Sequence, residues 1–144
     1  MILVIINSLN VLWFGAAFWY FALAPGRAAK ILVPRSQRDT PLYRTLVASI
    51  RFLGGMNLAL AALALTLVLP TAVFAGARQH AVFASIFALA HATQLAGNVP
   101  VLLGGGRQGD ALWPVTRGPM AFIFAGDGTL ALANTLVAAW LFGS

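Results

Sequence analysis

Apolar residues gather into four long runs separated by short polar stretches. The first spans Met1 to Ala24 and is closed by Pro25-Gly26, and the second spans Thr45 to Leu69, closed by Pro70. The third spans Ala81 to Leu103, closed by Gly104-Gly105-Gly106, and the fourth spans Met120 to Phe142, opened by Gly118-Pro119. Each meets the need of about 20 residues for a helix crossing a hydrocarbon core about 30 Å thick. Proline and glycine fall at the run ends, where they punctuate helices without breaking them. Ahead of the second run, Asp39-Thr40-Pro41 has the form of a helix start, with a capping side chain before a first-turn proline. The first run has no basic segment before it and is too long for a signal-peptide core, so it reads as a retained span. The pattern predicts one all-α, integral membrane domain over residues 1–144, with spans at about 2–24, 45–69, 81–103 and 120–142. Connections this short make consecutive helices antiparallel neighbours, hence an up-down four-helix bundle.

Composition sharpens this picture. Of 144 residues, 60% are hydrophobic and 8% charged, against about 25% charged in an ordinary soluble domain. The formal net charge is +6. In a soluble protein that would suggest nucleic acid, but here the cations sit mainly in connections. Segment 25–44 carries Arg27, Lys30, Arg35, Arg38 and Arg44, segment 104–118 carries Arg107 and Arg117, and segment 70–80 carries only Arg78. By the positive-inside rule the first and third connections are cytoplasmic. Both termini then face the other side of a cell (inner) membrane, and the expected partner of the cations is anionic lipid, not nucleic acid. Trp19, Tyr20 and Trp140 fall near span ends, as interfacial aromatics do. The absence of cysteine removes disulfides, thiol catalysis, thiolate metal sites and iron–sulfur clusters.

Polar side chains inside the spans carry the remaining information. An ionisable group at membrane depth costs about 2.5–3.5 kcal/mol on insertion scales, so it faces the bundle and has a partner. The third run holds His91, Gln94 and Asn98 at i, i+3, i+7, one helical face that Phe87, Ala84 and His80 extend outward. The fourth holds Asp127, flanked by Gly126 and Gly128, and Asn134 seven residues on. The second holds Arg51 and Asn57, and the first holds Asn7, Ser8 and Asn10 in its outer half. At about 1.5 Å per residue, Arg51, Asn57, His91, Gln94, Asn98 and Asp127 all lie within about 18 Å of the cytoplasmic helix ends. They are the candidate ligand-binding residues of one polar cavity opening toward the cytoplasmic leaflet. Asp127 is the one carboxylate inside a span. An Arg51–Asp127 ion pair is therefore expected at the cavity's centre, unless Arg51 snorkels to the headgroups.

Several chemistries are excluded or left open. No H-x-x-x-H or E-x-x-H pattern is present, so no metal site is expected. His80 and His91 are about 16 Å apart along one helix and cannot ligate one haem, so no cofactor is implied. Gly104-Gly105-Gly106-Arg107 lacks a Walker lysine and reads as a helix stop. His91 and Asp127 together form a candidate acid–base pair for a hydrophobic, lipid or isoprenoid-like substrate. A lone buried acid also suits a proton, ion or small-solute pathway in a homo-oligomer.

Arg51-Phe52-Leu53-Gly54-Gly55-Met56-Asn57, followed by an Ala/Leu run, resembles the second helix of small four-span DoxX-like membrane proteins. The same stretch, with Phe87-Ala88-Leu89-Ala90-His91 and Gly97, resembles the ergosterol-biosynthesis scaffold protein 28 family. That resemblance implies a non-enzymatic membrane adaptor gathering enzymes of lipid metabolism, with Arg51 and His91 shaping the bundle. The leading expectation is thus a small polytopic protein that binds a lipid-like ligand or scaffolds membrane-protein partners, without catalysis. The membrane enzyme and the oligomeric pathway are its alternatives.

Overall fold

The computed structural model describes residues 1–69, 74–105 and 113–144. The helix stop at Pro70 and the loop residues Gly106, Arg107 and Asp110 lie outside the described residues. Among the described residues the chain is all-helical, with no strand. Four helical stretches, Ile2–Leu23, Pro41–Val68, Ala77–Leu103 and Gly118–Gly143, are long and apolar enough to cross a membrane.

Helix α1 (Ile2–Phe18) continues into a π turn (Trp19–Leu23), closed by the Ala24 N–H donating to the Trp19 carbonyl at 2.9 Å. Ala24 precedes Pro25, and the pyrrolidine ring disfavours the α conformation there. Ala24 accordingly leaves it, at φ −124° and ψ 45°. The first connection is not a simple loop. It contains α2 (Pro25–Leu32), which buries Pro25, Ala28 and Ala29. Arg38 closes the end of α2, donating through Nε to the Val33 carbonyl and through Nη2 to the Lys30 carbonyl, at 2.9 and 2.8 Å. The Arg27 guanidinium lies 5.4 Å from the Trp19 ring centroid. A cation on a helix that also buries apolar residues is what the charge count of this segment concealed.

Helix α3 (Pro41–Ser49) starts where the capping signal placed a helix start. The Thr40 hydroxyl accepts the Tyr43 N–H at 3.2 Å, ahead of Pro41. A bend at Ile50, where the Leu53 N–H turns to the Ile50 carbonyl at 3.1 Å, leads into α4 (Arg51–Val68). Helix α5 (Ala77–Leu103) begins with Gln79 Oε1 accepting the Gly76 N–H and ends at Gly104-Gly105. Gly105 takes φ +69°, a left-handed terminus that glycine adopts without a Cβ penalty. Helix α6 is Gly118–Gly143. The second, third and fourth helices thus start two to four residues before their apolar runs, because polar first turns are still helical.

Helix α1 packs closely on α4, and α5 on α6, with α1 also meeting α6. The approach of α4 to the π turn that extends α1 is tight at Gly54, where an added Cβ would lie 2.6 Å from the Ala22 backbone nitrogen. Helices α4 and α5, although consecutive, stand further apart. Toward one end Phe14, Phe87, Ala61, Ala64 and Leu67 fill the space between them. Toward the other end that space stays open. Burial is inverted relative to a water-soluble domain. Asn7, Asn10, Asn57, His91, Asp127 and Asn134 are buried, whereas Leu12, Phe52, Met56, Leu103 and Phe122 are exposed.

Candidate functional site

Four of the buried polar side chains, Asn10, His91, Asp127 and Asn134, form with Trp13 one chain of hydrogen bonds across α1, α5 and α6. Asn7, Asn10 and Phe14 recur at i, i+3, i+7 and share the inner face of α1. Asp127 and Asn134 share that of α6. Asn134 Nδ2 donates to the Leu130 carbonyl at 2.8 Å and to Asn10 Oδ1 at 3.1 Å. Asn10 Nδ2 donates back to Asn134 Oδ1 at 3.0 Å. His91 Nε2 lies 3.2 Å from Asn10 Oδ1, and His91 Nδ1 lies 2.9 Å from Asp127 Oδ1. Trp13 Nε1 donates to the same Asp127 oxygen at 2.9 Å. The Phe14 ring stacks on the imidazole at 4.7 Å and 18°. His91, Asp127, Asn10 and Asn134 are all fully buried.

Hydrogen-bond sense assigns the hydrogens. The Leu130 carbonyl accepts only, so the nitrogen of the Asn134 amide must face it. That leaves Asn134 Oδ1 as the acceptor for Asn10 Nδ2, and so turns Asn10 Oδ1 toward His91. Nε2 of His91 therefore carries a hydrogen. Between Nδ1 and Asp127 Oδ1, two lone pairs at 2.9 Å would repel, so one proton sits between them. The pair is net neutral in both of its forms, imidazolium–carboxylate and imidazole–carboxylic acid.

Asp127 Oδ2 has no hydrogen-bond partner among the described residues, nor has Asn57 Oδ1, and both atoms are buried. A buried acceptor left without a donor costs about 1–3 kcal/mol. Both residues line a cavity of about 510 Å³ in the open space between α4 and α5, roofed by Phe21 and by Ala28, Ile31 and Leu32 of α2. Its wall is otherwise mostly apolar, with Leu53, Met56, Leu60, Ala90, Met120 and Ile123. Gln94 also lines it, its carboxamide half-buried and without a protein partner among the described residues. A smaller recess of about 200 Å³ beside Trp13 and Phe122 shares Phe21, Ala28, Ile31, Gln94 and Ile123 with it.

The six sequence candidates therefore divide. Asn57, Gln94, Asn98 and Asp127 share the cavity, and His91 stands behind Asp127, bonded to it. Asn98 is committed elsewhere: Nδ2 donates to the Gln94 carbonyl, and Oδ1 accepts from Trp113 Nε1 at 3.1 Å. Arg51 is a correction. It is exposed, and the His91–Asp127 pair is the one ion pair among the described residues. The reason is helical phase. At about 100° per residue Arg51 sits about 120° round α4 from Asn57, just past the bend at Ile50. Asp127 finds its partners on α5 and α1 instead.

Trp13 and Asn10 were not among the candidates. The available signal was a tryptophan in mid-span rather than at a span end, three residues after a buried-phase asparagine. Gly126 makes the Trp13 contact possible, since an added Cβ there would lie 2.6 Å from the indole Cζ3. Among the described residues no group of three or more His, Cys, Asp or Glu side chains is placed to hold a metal ion. Comparison with protein-family models, curated proteins and solved structures gives no match to this chain.

Proposed function

We propose that this chain is a multi-pass membrane protein, an up-and-down bundle of four spans, that holds a lipid-like ligand in the cavity between α4 and α5 without chemistry of its own. The inverted burial supports the membrane setting: apolar rings and leucines outside suit acyl chains, and carboxamides inside find one another across helices. The density of cations in segment 25–44 supports a cytoplasmic position for the α2 side, with both termini opposite. The observation that carries the ligand reading is the 510 Å³ cavity itself, apolar in its walls and holding two buried oxygens with no protein donor. That volume lies within the range of small-molecule sites, about 300–1,000 Å³.

Native mass spectrometry of the protein released from nanodiscs tests this. The wild type is expected to retain one apolar small molecule per chain. Gly97→Phe is expected to lose it, because Gly97 lines the cavity and has nothing within 4 Å of its Cβ position. A wild type that emerges empty, or a variant carrying the same adduct, overturns the proposal. The alternative is acid–base catalysis by His91 and Asp127 on the bound molecule. It is favoured by one observation, the hydrogen-bond contact of His91 Nδ1 with Asp127 Oδ1 at 2.9 Å beside a cavity. In that case the adduct recovered after incubation has a changed mass.

A further inference from the structure

Resting on the reading of the cavity as a lipid site, we infer that its ligand is an uncharged hydroxylated amphiphile, each head hydroxyl donating to one of the two orphan oxygens, Asp127 Oδ2 and Asn57 Oδ1. Hydrogen-bond sense selects the head group. Both oxygens are buried, unpartnered and acceptors, so the group that satisfies them must donate. Asn57 cannot turn its amide to escape this, because Nδ2 is held by the Leu53 carbonyl at 2.7 Å. Asp127 cannot either, because Oδ1 is held by Trp13 and His91 at 2.9 Å each. With one proton shared between Nδ1 and Oδ1, Oδ2 carries no hydrogen and stays an acceptor in both forms of the pair.

Charge then chooses among donors. The His91–Asp127 unit is net neutral, and the one other ionisable group of the cluster expected from sequence, Arg51, is exposed outside it. An ammonium head would enter a low-dielectric cavity with no net counter-charge, which is strongly disfavoured. A carboxylate or phosphate head brings acceptors to acceptors. An ether, ester or ketone also brings only acceptors. A hydroxyl is neutral, donates to one of the two oxygens, and still accepts from the carboxamide of Gln94, which also lines the cavity. A diol or a monoacylglycerol head donates to both. The apolar walls of α4, α6 and α2 take the chain.

The experiment compares four probes of one chain length on protein in nanodiscs, by displacement of a fluorescent fatty alcohol. These are oleyl alcohol, its methyl ether, oleylamine and oleic acid. The expected result is that the alcohol binds about tenfold or more tighter than the ether, since one buried hydrogen bond separates them. The amine and the acid are expected to fall below the alcohol. In Asn57→Leu, which leaves only Asp127 Oδ2 to accept, the alcohol-to-ether ratio should fall below the wild-type value, while the ether itself binds at least as well as to wild type. Equal binding of alcohol and ether in the wild type overturns the inference, as it would if water satisfied the two oxygens, and leaves the cavity reading standing. Preference for the amine or the acid overturns it likewise. Binding of none of the four sinks the cavity reading itself. The wild-type ratio needs no variant, so a failure of Asn57→Leu to fold does not remove the test.

Discussion

Replacing Gly126 by alanine drives a methyl group into the Trp13 indole. The added Cβ would sit 2.6 Å from Cζ3 and 2.7 Å from Cζ2, where ordinary contact begins at 3.4 Å. The indole is rigid. It is pinned at one end by its bond to Asp127 Oδ1 and packs against Phe122 at 5.4 Å between centroids. Two responses remain. Helices α1 and α6 can separate, an overpacking cost of about 1–3 kcal/mol. Or the indole swings away and forfeits its hydrogen bond. Interhelical hydrogen bonds in membranes average about 0.6 kcal/mol and reach about 1.7. A bond to a buried carboxylate belongs at the upper end, so either route gives about 2 kcal/mol for Gly126→Ala. Trp13→Phe loses the same bond and some ring contact, for about 1.5–3 kcal/mol. The shorter phenyl, however, leaves room for the methyl, and the bond is already gone. The double variant should therefore cost little more than Trp13→Phe alone, a coupling of at least about 1 kcal/mol. Reversible unfolding of the four proteins in dodecylmaltoside micelles titrated with dodecyl sulfate, followed by far-UV circular dichroism, measures it. Additivity within about 0.5 kcal/mol, or a neutral Gly126→Ala, refutes the packing of Trp13 over Gly126.

Two further outcomes are read by the same unfolding assay. Gly54→Ala should cost about 2 kcal/mol or more, because the added Cβ meets backbone and Cβ of Ala22 at 2.5–2.8 Å and no flexible side chain can yield; adjacent Gly55→Ala, with nothing within 4 Å, should be neutral or stabilising by up to about 1 kcal/mol. Arg51→Ala should change stability by no more than about 0.5 kcal/mol, whereas Asp127→Ala, which strands the Trp13 N–H and the His91 proton, should cost about 3–5 kcal/mol; equal effects would restore the Arg51–Asp127 pair.

The four long apolar helices, the start at Thr40-Pro41 and the polar faces of the third and fourth spans were legible in the sequence because each rests on local pattern. His91, Gln94 and Asn98 needed only 3.6 residues per turn to be placed together, as did Asp127 and Asn134. Pairing was less legible, because it depends on which helices approach and at what rotation. Asp127 was assigned to Arg51 by charge and depth alone. Helical phase decides otherwise, turning Arg51 outward and presenting an imidazole and an indole. Trp13 escaped notice because a tryptophan in an apolar run scores as one more hydrophobic residue. Only the glycine facing it, Gly126, reveals that its N–H is delivered to a carboxylate. Helix α2 was hidden differently: Arg27 and Lys30 marked its segment as a charged connection, while Ala28 and Ala29 carry the buried side.

The placement of the two unpaired oxygens connects ligand and scaffold. Asn57 belongs to α4, which packs on α1, and Asp127 belongs to α6, which packs on α5. The polar network joins α1, α5 and α6, but α4 contributes no side chain to its hydrogen bonds. Helix α4 is tied to the rest by the close approach at Gly54 and by the apolar cluster around Phe14 and Phe87. A head that donates to Asn57 and Asp127 together completes the tie between α4 and α6 on the side where α4 and α5 stand apart. Under that proposal the cavity is a missing contact of the bundle as well as a pocket within it. Occupancy then stabilises the fold by RT ln(1 + [L]/Kd), and the stabilisation is carried by the pair of residues on opposite walls. The proposed ligand would then account for two unsatisfied buried acceptors, one on α4 and one on α6. Each is an unfavourable group in the empty protein, and the proposed ligand would relieve both.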